Sequence, residues 1–472
     1  MAISRQSDDR SLSRNIGPLG AMSTVVAGTL GAGLFITLGT ASSTTGPSVI
    51  AVVAVAGLLA TAIAINYSWM ATVFPGAAGS YAYISRTFDT RLPGFLVTWS
   101  KWLGYMAADA VLAIGFGSYL QVFFPDLIAG QREIALVGFG LLTVLFITNL
   151  VGSRGYSLVQ NVTFGLLVIA ILVLVIPGSV TVQPANYQPF FTGGFDGFLA
   201  AAVPLFYAYI GIAVAGQMGA EVRNPSRNLP LAMIGGTLIL TVLYMWTAAV
   251  IYGVVADYTV LAESARPLAD AAEMFLGPSG SAIVAIGGLL ATASSVNAVM
   301  AAGIKMPYSW SWDGVFPRWF SAVNDRFGSP HWSLVTLYAV SSLLTFYTAG
   351  LDQVLKIATF SYLIAYFAVS VTLLYARFYR TELIEQAGFD LGGGLYLSGG
   401  IGALGSLALL TQAYQGSLAI YVPWIAVGFV VFGIYWYRGR QAGTDVGMIL
   451  NTLPGVPSSE YDPNIQETSS DD

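Results

Sequence analysis

The chain has 472 residues, of which 56% are hydrophobic and 9% are charged, and its formal net charge is −5. Soluble globular domains carry about 25% charged residues, so this composition excludes an ordinary water-soluble protein and indicates a membrane protein. The chain has no cysteine and a single histidine, His331. This excludes disulfide bonds, thiol nucleophiles and histidine-rich metal sites.

Long apolar segments follow one another along most of the chain. A membrane-spanning helix needs roughly 20 apolar residues, and about twelve segments have this length. They are 19–42, 48–73, 94–122, 132–151, 157–177, 197–217, 229–254, 279–303, 331–349, 354–376, 394–413 and 418–437.

The loop charges predict the orientation of these spans. With both termini in the cytoplasm, Arg132 and Arg266 are the only cations in outward loops, and all other loop cations face inward. We therefore expect a multi-pass all-α protein of the cell membrane. Its cytoplasmic tails are predicted at 1–17 and at 441–472, and the second tail is acidic.

The first span, 19–42, is interrupted by glycines that favour a break in the helix. Unpaired backbone groups cost several kcal/mol in lipid, so breaks persist where they line a cavity or bind a ligand. The half-helix after the break would offer N–H groups to a carboxylate, and the half-helix before it would offer carbonyl groups to an ammonium. The alternative is that these glycines only permit close helix packing. The predicted substrate-binding residues here are Ala27, Gly28, Thr29, Gly31, Ala32 and Gly33.

A second broken span, 197–217, follows five spans later, with its break predicted near Phe206, Tyr207 and Ile210. Broken spans at matching places in two halves of a transporter indicate the substrate site. This spacing predicts a five-plus-five inverted repeat. The predicted transport core is 18–380, and 381–440 adds spans eleven and twelve.

Four motifs occur in the right order to resemble the amino acid–polyamine–organocation permeases. They are VVAGTLGAGLFITLG (25–39), PGAAGSYAYISR (75–86), FYAYIGIAVAGQMGAEVRNPSRNLPLAM (206–233) and SSVNAVMAAGIKMPYSWSWDGVFPRW (294–319). The resemblance covers roughly 18–380 and implies a LeuT-type fold with broken spans one and six. It also implies a lid at Tyr207 over the substrate and an inner gate at Glu221. Packing and interfacial charge are the simpler explanations for these two residues.

Asp109 is an acidic residue deep in the third span, roughly 22 Å along it. Acidic residues at such depth are costly and usually face a pathway or a partner. Asp109 would contact a cationic group of the substrate or carry a proton, or else be a structural acid bonded to neighbouring helices. Lys101 lies two turns away, and we expect its side chain to extend towards the cytoplasmic surface.

The coupling ion is open at this point. Many relatives place a lysine in span five in lieu of sodium, but Leu167 occupies that position here. In span eight, Ser294 and Ser295 could bind sodium together with carbonyls that begin at Val26, because a hard cation prefers oxygen ligands. These serines could instead bond within their own helix. Sodium coupling, proton coupling through Asp109 and uncoupled exchange are all compatible with the sequence.

The resulting prediction is a secondary active transporter for an amino acid that works by alternating access. It is not an enzyme, and no cofactor or nucleic-acid partner is expected beyond Na⁺ or H⁺ as coupling ion. The alternatives are a polyamine or organic cation transporter of the same fold, a non-transporting amino acid sensor and, less compatible with paired broken spans, a channel. Monomer and homodimer are both open.

Overall fold

The described residues fold into α-helices that follow the predicted spans. The computed structural model of the chain describes residues 16–31, 33–76, 78–151, 156–219, 222–262, 264, 266–322, 330–346, 350–414 and 416–441. The predicted site residues Ala32 and Glu221 lie outside these ranges, as do most of the two predicted tails.

The first half of the chain contains both broken spans. Its helices are α1 (Pro18–Leu30), α2 (Leu34–Thr45), α3 (Val49–Val73), α4 (Ser80–Thr87), α5 (Arg91–Leu120), α6 (Gln131–Val151), α7 (Tyr156–Thr181), α8 (Gly194–Tyr207) and α9 (Ile212–Ala215). Span one is thus divided into α1 and α2, and span six into α8 and α9, as the sequence predicts.

The second half continues with unbroken spans and short connecting helices. These are α10 (Pro225–Pro230), α11 (Gly236–Val254), α12 (Thr259–Ala262), α13 (Pro267–Gly303), α14 (Lys305–Trp312), α15 (His331–Thr345), α16 (Gly350–Tyr379), α17 (Thr381–Gln386), α18 (Gly393–Ala413) and α19 (Leu418–Gln441). Proline at the first turn begins α1, α10 and α13, where its missing N–H costs nothing.

Two elements differ from the sequence prediction. Helix α13 begins at Pro267, well before the predicted 279, and a kink at Gly277 (φ 70°) separates its first turns from span eight. Only glycine adopts this conformation readily, and Pro278 follows it directly. The short helix α4 lies in the predicted loop between spans two and three.

The prediction of an all-α, multi-pass membrane protein is confirmed. Nine stretches of the described residues are long and apolar enough to cross a membrane. The shorter α1 and α8 are also apolar, and each ends where its span breaks. Helix α5 is almost entirely buried inside the protein, whereas α19 is largely exposed. Span three is therefore a central element, and it packs against α6, α13, α15 and α16.

Candidate functional site

The two broken spans meet at their breaks. A Cβ atom on Gly33 would overlap Ala208, and one on Gly211 would lie 2.8 Å from the Cα atom of Thr29. Each contact therefore requires a glycine, since a side chain would push the two segments apart. The described site residues of both breaks are buried, namely Ala27, Gly28, Thr29, Gly31, Gly33, Phe206, Tyr207 and Ile210.

Tyrosine hydroxyl groups from neighbouring spans satisfy the carbonyls at the breaks. The Tyr244 hydroxyl on α11 lies 3.1 Å from the Thr29 carbonyl and 3.2 Å from the Ala208 carbonyl, so its single proton is shared between the two breaks. On α16, the Tyr366 hydroxyl donates to the Ile210 carbonyl at 2.7 Å. Tyr244 and Tyr366 were missed by sequence reasoning, because one more tyrosine in an apolar span carries no signal of its own.

The serine hydroxyl of Ser295 on α13 completes this arrangement. It lies 3.1 Å from the Ala27 carbonyl and 3.1 Å from the Gly28 carbonyl. The sequence suggested that the carbonyls over 27–29 are free, but in the structure each of them has a hydroxyl partner. Burial in a membrane requires such a partner. A carbonyl oxygen has two lone pairs, so each can still accept a second bond from an ammonium.

The start of α2 faces the same place with its N–H groups. Among the described residues, no side chain caps this helix end, and Gly33 occupies its N-cap position. The first N–H groups of a helix have no partner within the helix and carry partial positive charge, which favours an anion. Carbonyl groups and N–H groups therefore lie on opposite sides of one break, within about a turn of each other.

Asp109 lies on α5 beside the span-six break. Its side chain is fully buried, with Oδ2 at 3.5 Å from the Ser341 hydroxyl, and its Oδ1 has no hydrogen-bond partner among the described residues. The Tyr207 hydroxyl donates to the carbonyl of the preceding residue, Ala108, at 3.3 Å. Span six is thus attached to span three directly next to an acidic group with unused acceptor capacity.

Lys101 does not extend to the cytoplasmic surface, so that prediction is wrong. Its side chain is fully buried, and its Nζ atom donates to the Ser80 hydroxyl at 3.0 Å. The ammonium also lies 5.4 Å from the ring centre of Tyr67 and 5.5 Å from that of Tyr105. Two aromatic rings and a hydroxyl group thus surround the Lys101 amine inside the protein.

Of the two serines predicted as ion ligands in span eight, Ser295 contacts the carbonyls of span one and not its own helix, as described above. Ser294 is also buried, and its hydroxyl has no partner among the described residues. Val26 on α1 is buried as well, and Leu167 on α7 is buried and brings no positive charge.

At the end of span six that is predicted to face the cytoplasm, the proposed gate residue Glu221 lies outside the described residues. Its surroundings are ordered by backbone contacts that the sequence did not indicate. Ile16, directly before α1, forms a bridge with Val222, and the Arg223 N–H donates to the Ile16 carbonyl at 2.9 Å. The segment before span one is therefore attached to the segment after span six.

A cavity of about 390 Å³ lies away from the breaks, near the predicted outer end of α5. Its lining includes Gln121, Gln131, Ser264, Arg266 and Asp270, and none of the predicted site residues that the structure describes. Arg266 and Asp270 form an ion pair with 3.1 Å between nitrogen and oxygen. The cavity is thus separate from the site formed by the two breaks.

Comparison with known proteins gives a family and a set of relatives. The model of the amino acid permease family matches residues 16–452. A branched-chain amino acid permease of Bacillus subtilis is 25% identical over 92% of this chain and 95% of its own length. A methylthioribose transporter of the same organism is 26% identical with the same coverage. A vacuolar cationic amino acid transporter of Arabidopsis thaliana is 28% identical over 79% of this chain and 66% of its own length.

Proposed function

The chain belongs to the amino acid permease family, and on this premise we propose that it is a secondary active transporter for an amino acid. Its relatives are permeases and transporters and not enzymes, in agreement with the prediction from sequence. The observation that carries the proposal is the contact between the two breaks, with Tyr244 bonded to the carbonyls of both. A buried pair of breaks provides backbone groups that a small zwitterion can bind.

In this proposal the substrate binds between spans one, three, six and eight. Its carboxylate is bound by the N–H groups at the start of α2, after Gly33. Its ammonium group is bound by the carbonyls of Ala27, Gly28 and Thr29, which accept second hydrogen bonds. Tyr207 is proposed as the lid over the substrate.

Asp109 supports a narrower version, in which the substrate carries a second positive charge. A buried carboxylate with an unused oxygen is costly unless a cation approaches it. A cationic amino acid or a polyamine would supply that cation, whereas a neutral amino acid would require Asp109 to be protonated. The relatives named above transport branched-chain amino acids, cationic amino acids and methylthioribose, so they favour no single substrate.

The proposed topology follows from the loop charges. The proposed protein has twelve spans, two inverted five-helix repeats over 18–380 and cytoplasmic termini in the cell membrane. In this orientation, Glu221 lies on the cytoplasmic side, where it would form the inner gate. The bridge between Ile16 and Val222 would then lie on the cytoplasmic side. Alternating access would require this bridge to open when the site faces inward.

Two coupling ions, sodium and a proton, are compatible with the polar groups near the breaks. Sodium would be held by the carbonyls of Ala27 and Gly28 with the hydroxyls of Ser294 and Ser295, a set of oxygen ligands suited to a hard cation. A proton would be carried by Asp109, whose charged form is disfavoured by burial. Without either ion, the protein would exchange one substrate for another.

The test is thermal unfolding of the purified full-length protein with L-leucine, L-arginine and putrescine, each with and without sodium. A ligand that binds the folded state adds about 2.7 kcal/mol to the free energy of unfolding at a hundredfold excess over its Kd, and so raises the unfolding midpoint. A sodium-dependent shift supports the serine site, and a sodium-independent shift supports Asp109 or exchange. A flat response to all three compounds would contradict the proposal of an amino acid or polyamine substrate. Flux of the binding compound into proteoliposomes then separates a transporter from a sensor.

A further inference from the structure

Three polar side chains on α5 form a strip that leads from the break towards the predicted cytoplasmic side. Lys101, Tyr105 and Asp109 are spaced four residues apart, which puts them on one face of the helix at steps of about 6 Å. All three side chains are fully buried. Asp109 belongs to the site described above, whereas the other two residues have no role in it.

Polar atoms along this strip lack hydrogen-bond partners among the described residues. They are the Asp109 Oδ1 atom, the hydroxyls of Tyr105 and Tyr362, and both amide atoms of Gln217. The ring centres of Tyr105 and Tyr362 are 5.4 Å apart, and the Gln217 amide lies near the Tyr105 hydroxyl without forming a bond of normal geometry. Because more than about 90% of buried polar groups in proteins are paired, such a run requires an explanation.

The inner end of the strip is rich in hydrogen-bond donors. The Lys101 ammonium has three donors, and the Ser80 hydroxyl accepts one of them. The Tyr67 hydroxyl lies 3.0 Å from the same Ser80 oxygen. No carboxylate forms an ion pair with Lys101 within the described part of the chain. A second ammonium, that of Lys305, lies 3.3 Å from the Gln217 carbonyl.

We propose that Lys101, Tyr105 and Gln217 form an inner subsite that binds the carboxylate of the substrate as it passes between the breaks and the cytoplasm. The subsite rests on the proposed function in one respect, since its ligand is an amino acid. A carboxylate there would receive charge-assisted hydrogen bonds from the ammonium and neutral bonds from the hydroxyl and amide. It would also supply the opposite charge that Lys101 otherwise lacks.

Binding of isolated carboxylates tests the subsite without any need for transport. The probes are 4-methylpentanoate and 5-guanidinovalerate, which are leucine and arginine without the α-amino group, and isopentylamine, which is leucine without its carboxylate, as the matched amine. We expect a carboxylate to raise the unfolding midpoint of the wild type, of Lys101→Arg and of Lys356→Met by clearly more than that of Lys101→Met, which retains only the carboxylate site at the break. Lys356 is a suitable control because it pairs with Asp352 at the other end of the protein and is partly exposed.

Sided transport gives the second measurement. In proteoliposomes of known orientation, Lys101→Met should raise the half-saturating amino acid concentration on the cytoplasmic side by about tenfold to a hundredfold, the range for a lost charge-assisted bond. On the outer side the change should stay within about twofold, because the breaks remain intact. Gln217→Leu should show the same sidedness with a smaller change, and it serves as the test if Lys101→Met does not fold.

Several results would overturn the subsite. One is equal stabilisation of Lys101→Met and wild type by the carboxylates, and another is an equal loss of affinity on both sides of the membrane. A change in pH dependence without a sided change in affinity would assign Lys101 to proton transfer. If carboxylates bind through Lys101 but no amino acid is transported, the subsite stands and the proposed function fails. If amino acids are transported but the binding of carboxylates does not depend on Lys101, the proposed function stands and the subsite fails.

Discussion

Gly31 is the residue whose replacement tests the site most directly. A Cβ atom at this position would overlap the backbone carbonyl of Ala291 and the hydroxyl of Ser295 on α13. Backbone atoms of a long helix cannot rotate away as a side-chain tip can, so Gly31→Ala should move span one away from span eight. That movement would also separate Ser295 from the carbonyls of Ala27 and Gly28.

The magnitude follows from these two effects. Forcing a methyl group into a packed interior costs about 1–3 kcal/mol, and loss of the shared Ser295 hydrogen bond adds about 0.5–1.5 kcal/mol. We therefore expect Gly31→Ala to reduce the free energy of unfolding by about 1.5–4.5 kcal/mol. Since unfolding entropy grows with chain length, this corresponds to a fall of a few degrees in the unfolding midpoint.

Gly28 provides a matched control three residues away in the same span. A Cβ atom there would lie 3.4 Å from the Cβ atom of Ala298, which is an ordinary contact. Gly28→Ala should therefore fold at least as stably as the wild type, with a gain of up to about 1 kcal/mol because alanine favours a helix.

The assay is thermal unfolding of both variants in detergent, monitored by tryptophan fluorescence. It is repeated in the presence of a compound that stabilises the wild type. Gly31→Ala should lose both intrinsic stability and stabilisation by that compound. Equal stability of Gly31→Ala and Gly28→Ala would refute the packing of the break against α13. Normal stabilisation of Gly31→Ala by the compound would mean that the substrate binds elsewhere.

Three further predictions concern the groups around the breaks. Asp109→Asn should abolish or redirect transport, while Ser341→Ala leaves the substrate preference unchanged; wild-type uptake by Asp109→Asn would make this acid structural. Tyr244→Phe should cost about 1–3 kcal/mol, because two buried carbonyls lose their donor, and should also lower substrate affinity. Tyr187→Phe removes a similar bond to a carbonyl outside the site and should affect unfolding but leave uptake intact. Ser295→Ala should abolish any sodium-dependent stabilisation, and a persistent sodium effect would place the ion elsewhere.

Much of the architecture follows from the sequence because the bilayer imposes simple rules. Apolar length predicts where helices run, and the glycines in the first span predict that it breaks there. The second break and the family also follow from motifs in the sequence. The polar residues Asp109, Ser294 and Ser295 could be selected as candidates because polar groups are conspicuous in apolar spans.

Contacts between distant segments could not be predicted in the same way. The position of Tyr244 between two breaks depends on how α11 packs against α1 and α8, and nothing in its local sequence distinguishes it from other tyrosines. The attachment of Ile16 to Val222 likewise joins segments that are far apart in the chain.

Lys101 shows the limit most clearly. Its position near one end of a span predicts exposure, since a long side chain can extend to water from there. The structure surrounds it instead with Ser80, Tyr67 and Tyr105, drawn from three different helices. The sequence by itself determined the spans, the breaks and the family, because these depend on local composition and order. Only the tertiary structure decided which polar groups meet, because a partner in a membrane is set by helix packing and not by distance along the chain.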